Sequence, residues 1–505
     1  MRRFRWKNWC LTAVWILLLP ILAIGTENRL RIVQTTDLHG SVDHGRLART
    51  GTLIEREVRD AGRDHILWID CGDLIQGSYA MTFDNGRKAM IRFLNHFACD
   101  VFVPGNHDFE FGSAVLLPLL RSFRGTVLGL NLVWPEAPVK PWKMFRRGDM
   151  NVAVIGIAYP GLERMFIPPV LGPVRTSDVR AQLARVMPEV MRARPDLIVL
   201  ALHAGEHHRF ESGIQLYDLL RSYPQIDLVV CGHSHQSEAG KPAGDSVWLM
   251  QAPPLGGGIA VADVMYDPDK LRVTSLKTRL VRADGVPEQT EIRALLDPVN
   301  RSSRQLGRVR ICSIPCELRA PEKNESASAL SSLCGRAIAA ATGAEVVFYG
   351  IGSRYRQAAG PLNRFQLYLL LPYNDYAVTV ELTADEIRRI LEEQLSLRRK
   401  NGSYQAPYGL RFTAARRNLC GITLESTGRP LEPGRTCRCA FSSYIFAGSG
   451  RCPVLHSIVK SKSAQYDSRP VRERVLEYLQ KNDPAAGGMQ SGGPLPRKKE
   501  NHHDR

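Results

Sequence analysis

Several things are missing from these 505 residues, and each absence narrows the reading. Beyond residue 25 no apolar run reaches the roughly 20 residues needed to cross a bilayer, which excludes a polytopic membrane protein. No internal repeat is visible. Despite a formal net charge of +17, no basic run is long enough to serve as a nucleic-acid-binding arm. The balance of 44% hydrophobic to 23% charged residues excludes a disordered polymer and a collagen-like fibre. What is present is enough chain for two or three domains of about 150 residues, each with its own core. The excess of cations favours anionic partners such as phosphorylated metabolites, nucleic acid or an acidic surface, without choosing among them.

Part of that charge sits at the start. Arg2, Arg3, Arg5 and Lys7 precede the apolar stretch Cys10 to Gly25, and Ala23 and Gly25 stand three and one positions before Thr26. A basic head, a short apolar core and a small-x-small site predict a signal peptide over residues 1–25. An uncleaved anchor is disfavoured because the run is short and contains Pro20. The chain is therefore expected to be exported, periplasmic or extracellular, with no membrane span after the leader is removed. Of the 11 cysteines, loss of Cys10 leaves an even number. Cys71, Cys99 and Cys231 lie early; Cys312, Cys316, Cys334, Cys420, Cys437, Cys439 and Cys452 lie late. Disulfides or buried thiols are expected ahead of a zinc cluster from Cys312, Cys316, Cys437 and Cys439, whose spacing fits no standard knuckle.

From about residue 29 to 283, short Val/Ile/Leu-rich runs alternate with helical stretches such as Ala181–Arg194. The runs Leu30–Thr36, Ile66–Cys71, Val101–Val103, Thr126–Leu132, Val152–Ala158, Leu197–Leu202 and Leu228–Cys231 read as strands buried on both faces, the mark of a layered α/β domain. Residues 284–308 predict a linking helix, with Ile292, Leu295, Leu296 and Val299 on one face. A second domain is expected over 309–482, with helices at Ala327–Ala341 and Thr383–Arg398 and a strand at Ala377–Leu382. Residues 483–505 are Gly/Pro-rich and charged, and predict a disordered tail.

The chemistry lies at the strand ends. They read Asp37-Leu38-His39-Gly40, Asp70-Cys71-Gly72-Asp73, Gly105-Asn106-His107-Asp108, His203-Ala204-Gly205 and Gly232-His233-Ser234-His235. A single Asp or His in such a place is usually a cap or a satisfied polar group. Five of the 13 histidines gathered at one sheet edge are another matter, because packing offers no return for crowding costly polar groups there. Carboxylate, imidazole and carboxamide together are donors that divalent metals prefer.

The ordered series D-x-H, G-D, G-N-H-[DE], H-x-G and G-H-x-H resembles the binuclear metallophosphoesterases. The second domain resembles that of the exported 5'-nucleotidase group, which includes UDP-sugar hydrolases and 2',3'-cyclic nucleotide phosphodiesterases. The resemblance implies a metallophosphoesterase-type double-sheet sandwich flanked by helices, followed by a smaller α/β substrate-binding domain. It implies two divalent cations (Zn, Mn, Fe or Co), one held by Asp37, His39, Asp73 and His235. The other would be held by Asp73, Asn106, His203 and His233, with Asp73 bridging. It further implies that a metal-activated hydroxide attacks phosphorus, that His107 is the catalytic imidazole, and that Glu110, where the family more often has Asp, orients it.

In the second domain, Leu318 to Ser326 resembles the R-x-x-E-x-N segment of the family and Tyr349 to Arg354 its N-G-G-G-I-R loop. Arg319 and Arg354 thereby become candidates to bind substrate phosphate or carboxylate. Leu371-Pro372-Tyr373-Asn374-Asp375 resembles the L-P-F-G segment, which makes Tyr373 the candidate base-stacking ring. The family's second ring is missing from Ala447 to Pro453, leaving Tyr444 or Phe446 to replace it. The expected substrate is a small phosphorylated molecule, a nucleotide rather than a nucleic-acid polymer. Two alternatives stand beside 5'-nucleotidase activity: 2',3'-cyclic nucleotide phosphodiesterase/3'-nucleotidase, and a non-catalytic nucleotide- or surface-binding protein on the same scaffold.

Overall fold

The structure, a computed structural model, describes residues 28–482 apart from 211–212, 245–246, 268–271, 323–324, 400–403 and 416–417. The leader expected over 1–25 and the tail expected over 483–505 lie outside the described residues. Strands β1 (Asn28–Thr35), β2 (Ile66–Asp70) and β3 (Val101–Phe102) run parallel in a seven-stranded sheet. Its order is 272–282, 258–267, β1, β2, β3, 126–128, 139–140. Strands β4 (Leu197–Leu202) and β5 (Leu228–Val230) are parallel neighbours in a six-stranded sheet ordered 238–242, 248–251, β5, β4, 150–157, 142–147.

Alternation along each strand assigns the faces. Leu30, Ile32, Leu67, Ile69 and Val101 meet Val199, Ala201, Leu228 and Val230 between the two sheets. The outward residues Val33, Trp68 and Phe102 pack beneath helices Arg46–Ala61 and Asp84–His96. On the other side Ile198, Leu200, Leu202 and Val229 pack beneath helix Val179–Arg192. Both faces of the central strands are thus covered, which is why their sequences read as continuous apolar runs. Each fully buried side chain of this kind contributes about 1.5–3 kcal/mol, enough in sum to hold strained polar loops at the strand ends. The long strands Gly258–Asp267 and Arg272–Arg282 extend the first sheet antiparallel. The second of them is exposed or half-buried along its length, so no apolar run announces it.

Helix α1 (Thr290–Gly307) buries Ile292, Leu296 and Val299 against the first domain, as the spacing predicted. Beyond it lies a smaller α/β domain on a five-stranded sheet ordered 406–408, 346–349, 436–442, 376–383, 465–470. Helices Ala329–Thr342 and α2 (Val471–Lys481) cover one face, and Ala384–Arg399 covers the other. Among the described residues no helix is long and apolar enough to cross a membrane. Cys71, Cys99, Cys231, Cys334, Cys437 and Cys439 are buried thiols, and Cys316 is an exposed one.

Candidate active site

Because β1, β2 and β3 are parallel, as are β4 and β5, their carboxyl ends all open on one edge of the sandwich, where ligands of α/β sheets gather. The loops continue the pairing past the strands: Asp37 N–H donates to Gly72 O at 2.8 Å and His39 N–H to Asp73 O at 2.8 Å. One donor set comprises Asp37, His39, Asp73 and His235, and a second comprises Asp73, His203 and His233; within each, ligand atoms lie within 4.8 Å of one another. Asp73 belongs to both. Asn106 joins the second set, its Oδ1 standing 2.9 Å from His233 Nδ1 and 3.2 Å from His203 Nε2. Among the described residues these are the clusters of His, Cys, Asp and Glu able to hold a metal, so the four-cysteine zinc site does not form.

The hydrogen bonding shows that the donors suit cations. His39 Nδ1 contacts Gln76 O at 3.1 Å, and His203 Nδ1 contacts Cys71 O at 2.5 Å. A ring that donates through Nδ1 keeps an Nε2 lone pair, the arrangement typical of a metal-binding histidine. His39 Nε2 faces His235 Nε2 at 2.9 Å, so the two ring nitrogens converge as two ligands of one cation would. Asp73 Oδ2, fully buried, accepts no hydrogen bond, although His203 Nε2 lies 3.1 Å away. An orphaned buried carboxylate oxygen among convergent imidazoles fits a pair of divalent cations.

Charge follows the same logic. Burial pushes the Asp73 carboxyl up, but His203, His107 and His39 hold it well below the usual carboxylate range. Burial acts to lower His203, yet Asp73 overrides it and raises the imidazole to about 9; a bound cation would displace that proton. Burial, reinforced by His203, lowers His233 to about 4, so its ring is neutral and ready to ligate.

The backbone is strained here. Asp37, His39, Asp73, His233 and His235 have φ of 51°, 46°, 55°, 71° and 57°. Such left-handed non-glycine residues cost about 1–3 kcal/mol each and persist where the surroundings over-determine them. The donor residues thus share the sharp turns with Gly40 (φ 55°) and Gly72 (φ 85°), whereas Gly105 provides room. A Cβ on Gly105 would stand 2.3 Å from Asp73 Oδ1 and 2.6 Å from His203 Cε1.

Asp108, quoted in the motif without a role, proves to be the tie between two of the loops. Its Oδ2 accepts from Asp73 N–H (2.9 Å) and Gly105 N–H (2.7 Å), and its Oδ1 from Leu74 N–H (2.8 Å). Asp108→Ala should strand those buried donors and cost on the order of 3–5 kcal/mol in chemical denaturation. The variant should also lose cations to weaker chelators; unchanged stability would show that the tie is dispensable.

His107 sits beside the donor sets, its ring centroid 5.2 Å from that of His39. Its backbone N–H donates to Asp73 Oδ1 at 2.7 Å, and its Nδ1 lies 2.7 Å from Glu110 Oε2. Burial opposes the charged form, but Asp73 and Glu110 raise the imidazole to about 9. Glu110 is buried, and its longer arm still brings Oε2 to the Nδ1 side of the ring.

A cavity of about 510 Å³ opens from His107, Asn106 and His233 into the second domain. Tyr373 and Tyr444 line it, both well exposed, as do Tyr404 and Phe166; Phe446 does not line it and packs against Tyr466 instead. Nothing in the local sequence of Tyr404 or Phe166 marks either as a lining residue. Arg319 and Arg354 are not among the lining residues. Both outer nitrogens of Arg319 are engaged by Glu325 at 2.7 and 2.8 Å, and Arg354 is exposed. Asn324, the last residue of the R-x-x-E-x-N match, lies outside the described residues.

Comparison with known proteins matches residues 30–237 to the calcineurin-like phosphoesterase family and residues 309–457 to the 5'-nucleotidase C-terminal domain. The chain is similar to Protein UshA of Escherichia coli (strain K12), at 22% identity over 90% of this chain and 92% of that one. It is similar to a 5'-nucleotidase of Vibrio vulnificus at 22% identity over 92% of each. A Staphylococcus aureus chain crystallised with alpha-ketoglutarate shares the fold with a TM-score of 0.74 at 16% identity, covering 90% of this chain and 97% of that chain.

Proposed function

From a chain that is a calcineurin-like metallophosphoesterase domain fused to a 5'-nucleotidase C-terminal domain, we propose an exported enzyme that hydrolyses nucleotides, of 5'-nucleotidase type. The observation that carries this reading is the pair of donor sets sharing Asp73 at the mouth of an aromatic cavity. Asp37, His39, Asp73 and His235 would hold one divalent cation, and Asp73, Asn106, His203 and His233 the other. Bound there, such ions supply Lewis acidity toward phosphoryl oxygens and lower the pKa of water.

The chain's own residues do the rest. Asp73 places one anion between the two sites and screens their mutual repulsion. His107, fixed through Nδ1 by Glu110, keeps Nε2 for the substrate, where it can stabilise phosphoryl charge and hand a proton to the leaving oxygen. Tyr373 and Tyr444 offer faces for a base, each stacking contact contributing about 1–3 kcal/mol. In this reading residues 29–283 carry the chemistry, 284–308 link, and 309–482 select the leaving group. Arg319 reaches phosphate only if it exchanges Glu325 for substrate. The basic, apolar and small-residue order of residues 1–25 supports export.

The test is a panel of AMP, 2',3'-cyclic AMP and an aryl phosphate, assayed after metal removal and stepwise refilling. AMP turnover that returns with two equivalents of metal is the expected result. Preference for 2',3'-cyclic AMP would move the reading to the cyclic phosphodiesterases. Metal uptake without hydrolysis of any of the three would leave a binding protein.

A further inference from the structure

One segment of the second domain bears directly on the His107–Glu110 pair. Glu110 uses both carboxylate oxygens: Oε2 meets His107 Nδ1 at 2.7 Å, and Oε1 accepts the backbone N–H of Asn374 at 2.8 Å, 264 residues away. Tyr373, the preceding residue, lays its ring over the His107 imidazole with 6.2 Å between centroids and 22° between planes. The carboxylate that orients the imidazole is therefore itself oriented from the other domain. An aspartate, one methylene shorter, would not extend as far toward both partners.

What holds residues 371–375 in place is the first turn of α2. Arg472 Nη1 donates to Leu371 O at 2.9 Å and to Tyr373 O at 3.3 Å, and its Nη2 donates to Asn374 Oδ1 at 3.1 Å. The guanidinium carbon lies 5.4 Å from the ring centroid of Tyr368, on helix Arg364–Leu370. Val471 N–H donates to Asp375 O at 2.7 Å from the same turn. These acceptors are neutral and diverge, which suits a planar fork and not a single ammonium. The same helix Arg364–Leu370 meets the first domain, where Tyr79 packs edge-on against Phe365 at 5.8 Å and tilted against Tyr368 at 5.5 Å. The segment, the arginine and the domain contact form one continuous unit.

We propose that Arg472 is a positioning residue for the reaction: by pinning residues 371–374 it sets the Asn374 N–H and the Tyr373 ring that hold Glu110 and aim His107. This rests on the phosphoesterase reading above. It follows that the imidazole is fully held only when the second domain is docked, so productive geometry and domain docking arise together. Arg472 touches no substrate; its effect travels through the 371–374 backbone.

Arg472→Met keeps the apolar stem against Tyr368 and removes the donors. With AMP and with an aryl phosphate, loss of these hydrogen bonds should lower kcat about tenfold with KM changed less than about twofold and metal content unchanged. Glu110→Asp should lower kcat as well, and the double variant should be no slower than the slower single one, because both changes break the same chain. Fully additive losses, a rise in KM alone, or an unchanged kcat would overturn the proposal. Should Arg472→Met fail to fold, Arg472→Lys decides, since one ammonium cannot serve the divergent acceptors; wild-type kcat in that variant would overturn it too. A further readout is independent of turnover. The His107 Nδ1 proton resonance in histidine-labelled protein should weaken in the Arg472 variant, and an unaltered signal would overturn the assignment. If the wild-type protein hydrolyses neither substrate, the phosphoesterase reading fails, and this resonance still judges the role of Arg472.

Discussion

Asp73→Asn should yield a folded chain that retains neither cation through dialysis and hydrolyses no phosphoester above background. Asparagine is the apt replacement because Asp73 stands at φ 55°, a conformation that asparagine tolerates better than alanine. The amide preserves size and the left-handed backbone while removing the single negative charge that both donor sets share. Each set then faces its cation with one anion fewer, and the second retains no carboxylate: His203, His233 and Asn106 are all neutral ligands. Loss of both ions, not one, distinguishes a shared carboxylate from an ordinary ligand. Asp37→Asn is the natural comparison, since Asp37 belongs to the first set alone. Elemental analysis of both variants after dialysis against a weak chelator is the measurement. An Asp73→Asn protein that kept either ion at full occupancy would separate the two sites and remove the bridge.

His107→Ala should behave oppositely, keeping its metals and losing rate. The side chain belongs to neither donor set, and the backbone N–H that donates to Asp73 Oδ1 survives the substitution. Removing a general acid costs about 10²–10⁴ in turnover, so kcat should fall by that factor with the metal content unaltered. The loss should be larger for AMP than for an aryl phosphate, whose better leaving group needs less help from a proton donor. Equal losses on both substrates would assign His107 to stabilising phosphoryl charge and not to protonating the leaving oxygen. Loss of metal would make it a ligand.

The strand ends were legible because their physics is local. Apolar runs such as Leu197–Leu202 announce strands covered on both faces, and abrupt polar endings such as Gly232-His233-Ser234-His235 announce that something collects there. Parallel order then delivers all five ends to one edge. Other features depend on which side chains and backbone groups actually meet, near or far in sequence, and were not legible. That the guanidinium of Arg319 is engaged by Glu325 is a matter of side-chain geometry that the motif does not specify. Asp108 reads as a motif residue until four backbone donors, Ile75 N–H among them, are seen to converge on it. Gly40 and Gly72 do take positive φ beside His39 and Asp73, but five of the candidate ligands adopt the left-handed backbone as well, which a strained, over-determined site permits and local propensity does not foretell. The contact of Asn374 with Glu110 joins two domains and leaves no trace in either local sequence.

Anomalous scattering from crystals grown with Mn²⁺ or Zn²⁺ tests the central claim most directly. Two peaks, about 3.5–4 Å apart, should flank the Asp73 carboxylate, one facing His39 and His235 and the other facing His203 and His233. A single peak, or peaks away from these side chains, would contradict the account.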